Sequence, residues 1–254
     1  MVSSRTLPLR DWMGGVVAEV EERSERYRAV TPVGEQLRRV AVVLVVAAVV
    51  LLLIEFGGRP EVALRFVAGE DPRLGVLVWW ATVAVVGYVG GPLLAARVLG
   101  DDPATYGLRR RVRGIAPYLV LYVLSLPFIA LAASDPSFLD RYPFYRLAPG
   151  EPWFPALWIW WGFYALQFVA LEFFFRGFLV HGLQDRFGVG AVFVMVVPYA
   201  LIHVHKPFPE ALAAILGGTV LGLLSLEGRS IWPAAGLHVA VAATMDLLAL
   251  GVGS

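Results

Sequence analysis

The chain contains no cysteine. Disulfides, thiolate nucleophiles, cysteine-ligated zinc and iron–sulfur clusters are therefore excluded together. Lysine is almost as scarce, because Lys206 is the only one and the other basic residues are arginines, a bias typical of GC-rich bacterial genomes. Charge is thin as a whole: 16% of the 254 residues are charged, against about 25% in an ordinary soluble domain. The net charge is +1, so no field of one sign points to nucleic acid, and that class of partner is set aside. No internal repeat or low-complexity tract is visible, and the inverted repeats of many secondary transporters are missing with them. Any chemistry must come from Glu, Asp, His, Ser, Tyr, Arg or the single lysine.

What the chain has in excess is apolar residues, 58% of the total. A soluble fold of this size cannot hide so much apolar surface. The excess is gathered into uncharged runs, several of them near the ~20 residues that cross a bilayer core as helix. The expected fold is therefore all-α, a polytopic transmembrane helical bundle embedded in a lipid bilayer. The spans fall at 40–54, 74–96, 115–133, 154–171 continuing into 172–183, 189–202, 211–226 and 231–250. That makes seven, or eight if the long fourth segment breaks.

Residues 1–39 form a charged N-terminal segment ahead of the first apolar run, too long for the basic region of a cleavable signal. Its stretch 16–28 reads as a charged helix or tail on the membrane face. Of the 21 Lys and Arg residues, Arg176 lies inside a span, 14 fall in one set of alternate connecting segments and 6 in the other. The positive-inside rule then places the N-terminus in the cytoplasm of a multi-pass protein, expected in a bacterial inner membrane.

Ionisable residues inside the spans divide the chain again. The first three spans hold almost none, whereas the last four hold Glu172, Arg176, His181, His203, His238 and Asp246. A charged side chain near the bilayer centre costs about 2.5–3.5 kcal/mol on insertion scales, so each is a candidate functional residue. Glu172 and Arg176 stand four apart on one helix face, with the acid first, the order that pairs best. At 1.5 Å per residue, Glu172 and His203 fall at similar depth from the same membrane face. His238 starts shallower and reaches them only if its helix tilts or begins deeper. One carboxylate and two imidazoles meeting between helices can supply a base, a second proton carrier and an oxyanion donor. The same three side chains can equally form an open zinc site.

The run Glu172-Phe-Phe-Phe-Arg176-Gly177-Phe178-Leu179, then Tyr199-Ala-Leu-Ile-His203, the 217–222 span, Ser230-Ile231-Trp232 and His238 resemble the CAAX-processing and bacteriocin-processing (CPBP) intramembrane glutamic protease family. The eukaryotic member of that family is the type II CAAX prenyl endopeptidase. The resemblance covers about 168–246 and implies a protease core over 151–254, behind N-terminal transmembrane helices at 40–150. It implies an intramembrane endopeptidase that cleaves a membrane-associated or tail-anchored protein or peptide with Glu/His-activated water. The catalytic residues would be Glu172, His203, His238 and Arg176, with no cofactor. Zinc on Glu172, His203 and His238 is the alternative.

Two positions depart from the family pattern. The first motif is Glu-Glu-x-x-x-Arg, and its first glutamate, the one usually assigned as base, is Leu171 here. The third is His-x-x-x-Asn or Asp, and its last position is Ala242, with Asp246 one turn further on. In the second motif Tyr199 stands for the usual phenylalanine. These departures leave open a non-cleaving member that binds a peptide as an immunity or partner protein. A proton-coupled transporter using the same residues as a relay is a third reading.

Overall fold

The computed structural model describes residues 9–69, 71–109 and 114–252. Residues 1–8 of the charged N-terminal segment, and Arg110, Arg111 and Arg113 of the third connecting segment, lie outside the described residues. The described chain is all-helical, as expected. Eight helices matter here: α1 (Leu9–Val30), α2 (Val33–Gly57), α3 (Arg73–Leu99), α4 (Ala116–Ala132), α5 (Ala156–Phe187), α6 (Gly190–Leu201), α7 (Phe208–Gly228) and α8 (Trp232–Val252). Five of them (α2, α3, α5, α7 and α8) are long and apolar enough to cross a membrane, and α4 and α6 are shorter apolar helices. The protein is a multi-pass helical bundle.

The long fourth segment does not break. It continues through a π-helical stretch, Phe173–His181, which opens the hydrogen-bond ladder directly after Glu172. This helix is the centre of the molecule: α3 and α8 pack along it, and α6 packs on its π-helical part. Every residue from 170 to 183 is buried. The phenylalanines of this stretch fill the core against Tyr88 of α3 and Tyr199 of α6. In contrast, α2, α3 and α4 turn Val45, Leu52, Leu53, Val86, Leu124 and Phe128 outward, an apolar belt suited to lipid rather than water.

Two close approaches bring the functional helices together. A Cβ on Gly218 would lie 2.8 Å from the Tyr199 ring, and one on Gly222 would lie 2.7 Å from Val192. The pair is a small-xxx-small stripe that lets α7 sit directly on α6. At the other end of α6, Pro198 removes one rung of the ladder and the helix stops at Leu201. The turn that follows releases His203 from the helix.

The helix α1 does more than lie on the surface. Its Val20 and Ser24 are buried. The Ser24 hydroxyl donates to the Asp185 carbonyl at 3.0 Å, and Glu21 accepts from the Val189 N–H at 2.8 Å, capping α6 from another element. The contact is therefore specific, and it ties the charged segment to the ends of α5 and α6.

Candidate active site

Glu172 ends the regular part of α5, and no part of its side chain reaches solvent. One turn on, the Arg176 guanidinium lies 3.1 Å from Glu172 Oε1, and it too is fully buried. The same oxygen accepts from His238 Nδ1 at 2.9 Å. Glu172 and Arg176 thus pair as their spacing anticipates, and His238, expected to start shallower, joins them. His238 reaches this depth because α8 starts deep: Ser230 and Ile231, just before it, are buried, and the Ile231 N–H donates to the Gly107 carbonyl at 3.0 Å.

His203 stands across the site. Its Nδ1 donates to the Tyr199 carbonyl at 2.8 Å, and its ring lies 4.8 Å from the Tyr199 ring. Tyr199 in turn lies beneath the Arg176 guanidinium, 4.1 Å from its ring centre. Among the described residues no hydrogen bond or ion pair joins His203 to Glu172, so Tyr199 and Arg176 are the physical link between the two halves. In both histidines Nδ1 is engaged with an acceptor, which leaves Nε2 as the nitrogen with a free lone pair.

Both rings line one large cavity of about 1310 Å³. Its wall on α5 is Tyr164, Gln167, Phe168 and Leu171, and α8 adds Leu237, His238, Val241 and Ala242. Leu171, not Glu172, is the residue that faces the cavity. Glu172 lies behind that wall and meets the cavity through His238. Among the described residues no group of three or more His, Asp or Glu side chains is placed to hold a metal ion.

Several contributors were not legible in the motifs. Phe168, one turn before Glu172, stacks on His238 with ring centres 4.4 Å apart. Its signal was present in the four-residue spacing, but an aromatic in an apolar run carries no mark of function. At the cavity rim the single lysine is tied up: Lys206 Nζ lies 3.0 Å from Glu210 and also contacts the Tyr142 hydroxyl, which donates to Glu210 at 2.9 Å. Burial pushes the Lys206 ammonium below its ordinary value, partly offset by Glu210. Two other candidates are bonded within the bundle. His181 bonds Ser225 and Gln184 inside the bundle, and Asp246 accepts from the Trp161 indole at 3.1 Å.

The fold and this site define a class: a polytopic helical membrane protein with a buried carboxylate–imidazole pair beside a large cavity. Residues 152–244 match the family model described as type II CAAX prenyl endopeptidase Rce1-like. That segment is similar to the family anticipated from the motifs, and at the family level the match supports a CAAX-type protease. No curated protein and no solved structure matches the chain.

Proposed function

We propose that the protein is an intramembrane endopeptidase in which His238, oriented by Glu172, activates water. The observation that carries this reading is the 2.9 Å bond from His238 Nδ1 to a carboxylate held by Arg176, in a ring whose other side faces the cavity. A carboxylate on Nδ1 fixes the tautomer and stabilises the imidazolium once it forms. Water oxygen attacks the scissile carbonyl carbon while its proton passes to His238 Nε2, and the carbonyl electron pair moves onto oxygen. Collapse of that oxyanion breaks the C–N bond, and His238 returns the proton to the departing amine. His203 faces the same space with a free Nε2 and serves as the second proton carrier. No metal enters this scheme; zinc on Glu172, His203 and His238 is the competing one, although among the described residues the three side chains are not placed to share an ion.

The substrate is a protein or peptide with a membrane-associated segment, held in a bacterial inner membrane. The rim residues Glu55, Arg59, Asp140, Arg146 and Lys206 lie at the end of the bundle opposite α1. With the N-terminus in the cytoplasm, the mouth of the cavity opens on the extracytoplasmic side.

A specific observation favours a second reading, binding without cleavage: the cavity presents Leu171 and Ala242 where the family pattern has polar side chains. One experiment separates them. Purified protein in lipid nanodiscs is offered two fluorogenic peptides, one ending in a prenylated CAAX box and one carrying a single unmodified span. Cleavage by the wild type that is lost in Glu172→Gln, His203→Ala and His238→Ala supports the protease. Equal product from wild type and variants sinks it. Removal of the carboxylate charge from a comparable carboxylate–imidazole pair lowers turnover on the order of 10⁴-fold. Activity that persists under a tight chelator rules out the zinc scheme.

A further inference from the structure

Tyr199 carries a hydroxyl where the family pattern has phenylalanine. The residue lines the cavity and is 4% exposed, and its hydroxyl oxygen, unlike the Arg176 guanidinium nitrogens, is not fully enclosed. Its side chain packs on the Phe175 ring at 5.0 Å, the His203 ring at 4.8 Å and the Arg176 guanidinium at 4.1 Å. Among the described residues no acceptor takes the proton of that hydroxyl. A phenol at the edge of an enclosed site with its O–H uncommitted is a donor that a ligand completes.

The charge behind this phenol is shared with the proposed base. Arg176, fully buried, meets Glu172 Oε1 at 3.1 Å on one side and the Tyr199 ring on the other, and the same carboxylate oxygen holds His238 Nδ1 at 2.9 Å. A guanidinium has no acceptor and can only donate, so it leaves the Tyr199 proton free. Its positive charge against the phenol also strengthens that O–H as a donor to an anion. The ring is held in place, because the Tyr199 carbonyl accepts from His203 Nδ1 and α7 packs on the ring at Gly218. In the scheme above the carbonyl electron pair moves onto an oxygen that still needs a donor. Leu171 and Ala242, which also line the cavity, have none to give, and the Nε2 of each histidine is used to carry protons.

We propose that Tyr199 is a catalytic residue that donates its phenolic O–H to the substrate carbonyl oxygen as negative charge develops there. The assignment rests on the endopeptidase reading above. The proton stays on the phenol throughout. The hydrogen bond strengthens as the electron pair moves onto the carbonyl oxygen, and weakens when that pair returns and the C–N bond breaks. A fixed donor of this kind acts on the transition state far more than on the bound substrate, because the oxygen accepts most strongly when it carries the charge.

The test uses the same two peptides with the full-length protein in nanodiscs. Tyr199→Phe removes one oxygen and keeps the ring, the guanidinium against it and the backbone carbonyl that holds His203, with thermal unfolding to show that the fold is kept. Its kcat is expected to fall about 10²–10³-fold with KM within about twofold. A second readout separates donation from packing. A phosphinate analogue of the cleaved peptide, tetrahedral and anionic at the scissile position, should bind Tyr199→Phe on the order of 10²-fold more weakly than the wild type. Binding of the intact peptide, measured in the His238→Ala background, should be the same with and without Tyr199→Phe. Full kcat in Tyr199→Phe, a loss confined to KM, or equal weakening of analogue and intact peptide overturns the assignment while His238→Ala still abolishes cleavage. Product from the wild type no greater than that from His238→Ala overturns the endopeptidase reading and this assignment together.

Discussion

Leu171 and Glu172 are neighbours in the chain and lie on opposite sides of the cavity wall. Leu171 faces the cavity, while Glu172, with no exposed atom, holds Arg176 and His238 behind it. The hundred-degree turn between successive helical residues is enough to separate a position that meets substrate from one that orients a base. The family pattern has a glutamate at both positions, and here only the rear one remains.

That separation predicts the outcome of Leu171→Glu. The substitution would put a carboxylate directly into the cavity beside His238, able to accept a proton from water without a relay. A positioned general base contributes about 10²-fold or more, so kcat/KM on the prenylated or single-span peptide is expected to rise by about 10²-fold. The check is a progress curve for wild type and variant at equal folded concentration. An unchanged or lower rate would show that the wall position plays no part in water activation, whichever way the wild type behaves.

The fold was legible where one physical rule dominated. Seven apolar runs were readable because a bilayer demands uninterrupted helix, and their bounds lie close to α2 to α8. Glu172, Arg176 and His238 were readable because charge inside such runs is expensive. Three features were hidden. The π-helical stretch after Glu172 leaves no composition signature, since Phe173–His181 reads equally well as ordinary helix. The depth of His238 depends on how far α8 is drawn in by the Ile231 bond to Gly107, a contact 124 residues apart. The docking of α1 depends on two hydrogen bonds to the ends of α5 and α6, and a charged helix with a solvated face looks the same in sequence.

The glycine stripe on α7 supports a prediction about Tyr199. A Cβ on Gly218 would stand 2.8 Å from the Tyr199 ring, closer than real contacts allow. Gly218→Ala must therefore push Tyr199, which carries Arg176 on one side and His203 on the other. Overpacking of this kind costs about 1–3 kcal/mol. The expected result is a lower unfolding temperature in nanodiscs together with a loss of cleavage larger than the stability loss explains. Gly162→Ala, where a Cβ meets nothing within 4 Å and which does not line the cavity, is the control and should leave both unchanged.

Asp101 provides a pH prediction outside the membrane-spanning segments. Burial alone would push its carboxyl up, but the Arg39 guanidinium, with bonds of 2.8 and 2.7 Å, and the Tyr106 hydroxyl reverse that and hold it below the usual carboxylate range. A depressed carboxyl stabilises the fold above its unfolded value of about 3.9, and the contribution is lost as pH falls through the lower folded value. Asp101→Asn should therefore cost about 2 kcal/mol at pH 7, the size of a hydrogen bond to a charged group. Thermal unfolding of wild type and variant from about pH 3 to about pH 7 checks it: the gap should be widest near neutrality and shrink on acidification.

The absence of cysteine makes the orientation of the cavity directly measurable. His205 sits in the turn after α6, at the rim opposite α1, and its side chain is 68% exposed. Glu25, on the solvent side of α1, is exposed at the other end of the bundle. His205→Cys and Glu25→Cys each create a single thiol in a chain that otherwise has none, and neither residue belongs to the site at Glu172 and His238. With the N-terminus in the cytoplasm, a membrane-impermeant maleimide added to intact bacteria should label His205→Cys and leave Glu25→Cys unmodified until the cells are opened. The reverse pattern would place the mouth of the cavity, and therefore the approach of substrate, on the cytoplasmic side. Labelling of His205→Cys that is slowed by the single-span peptide would add that the peptide enters through this rim.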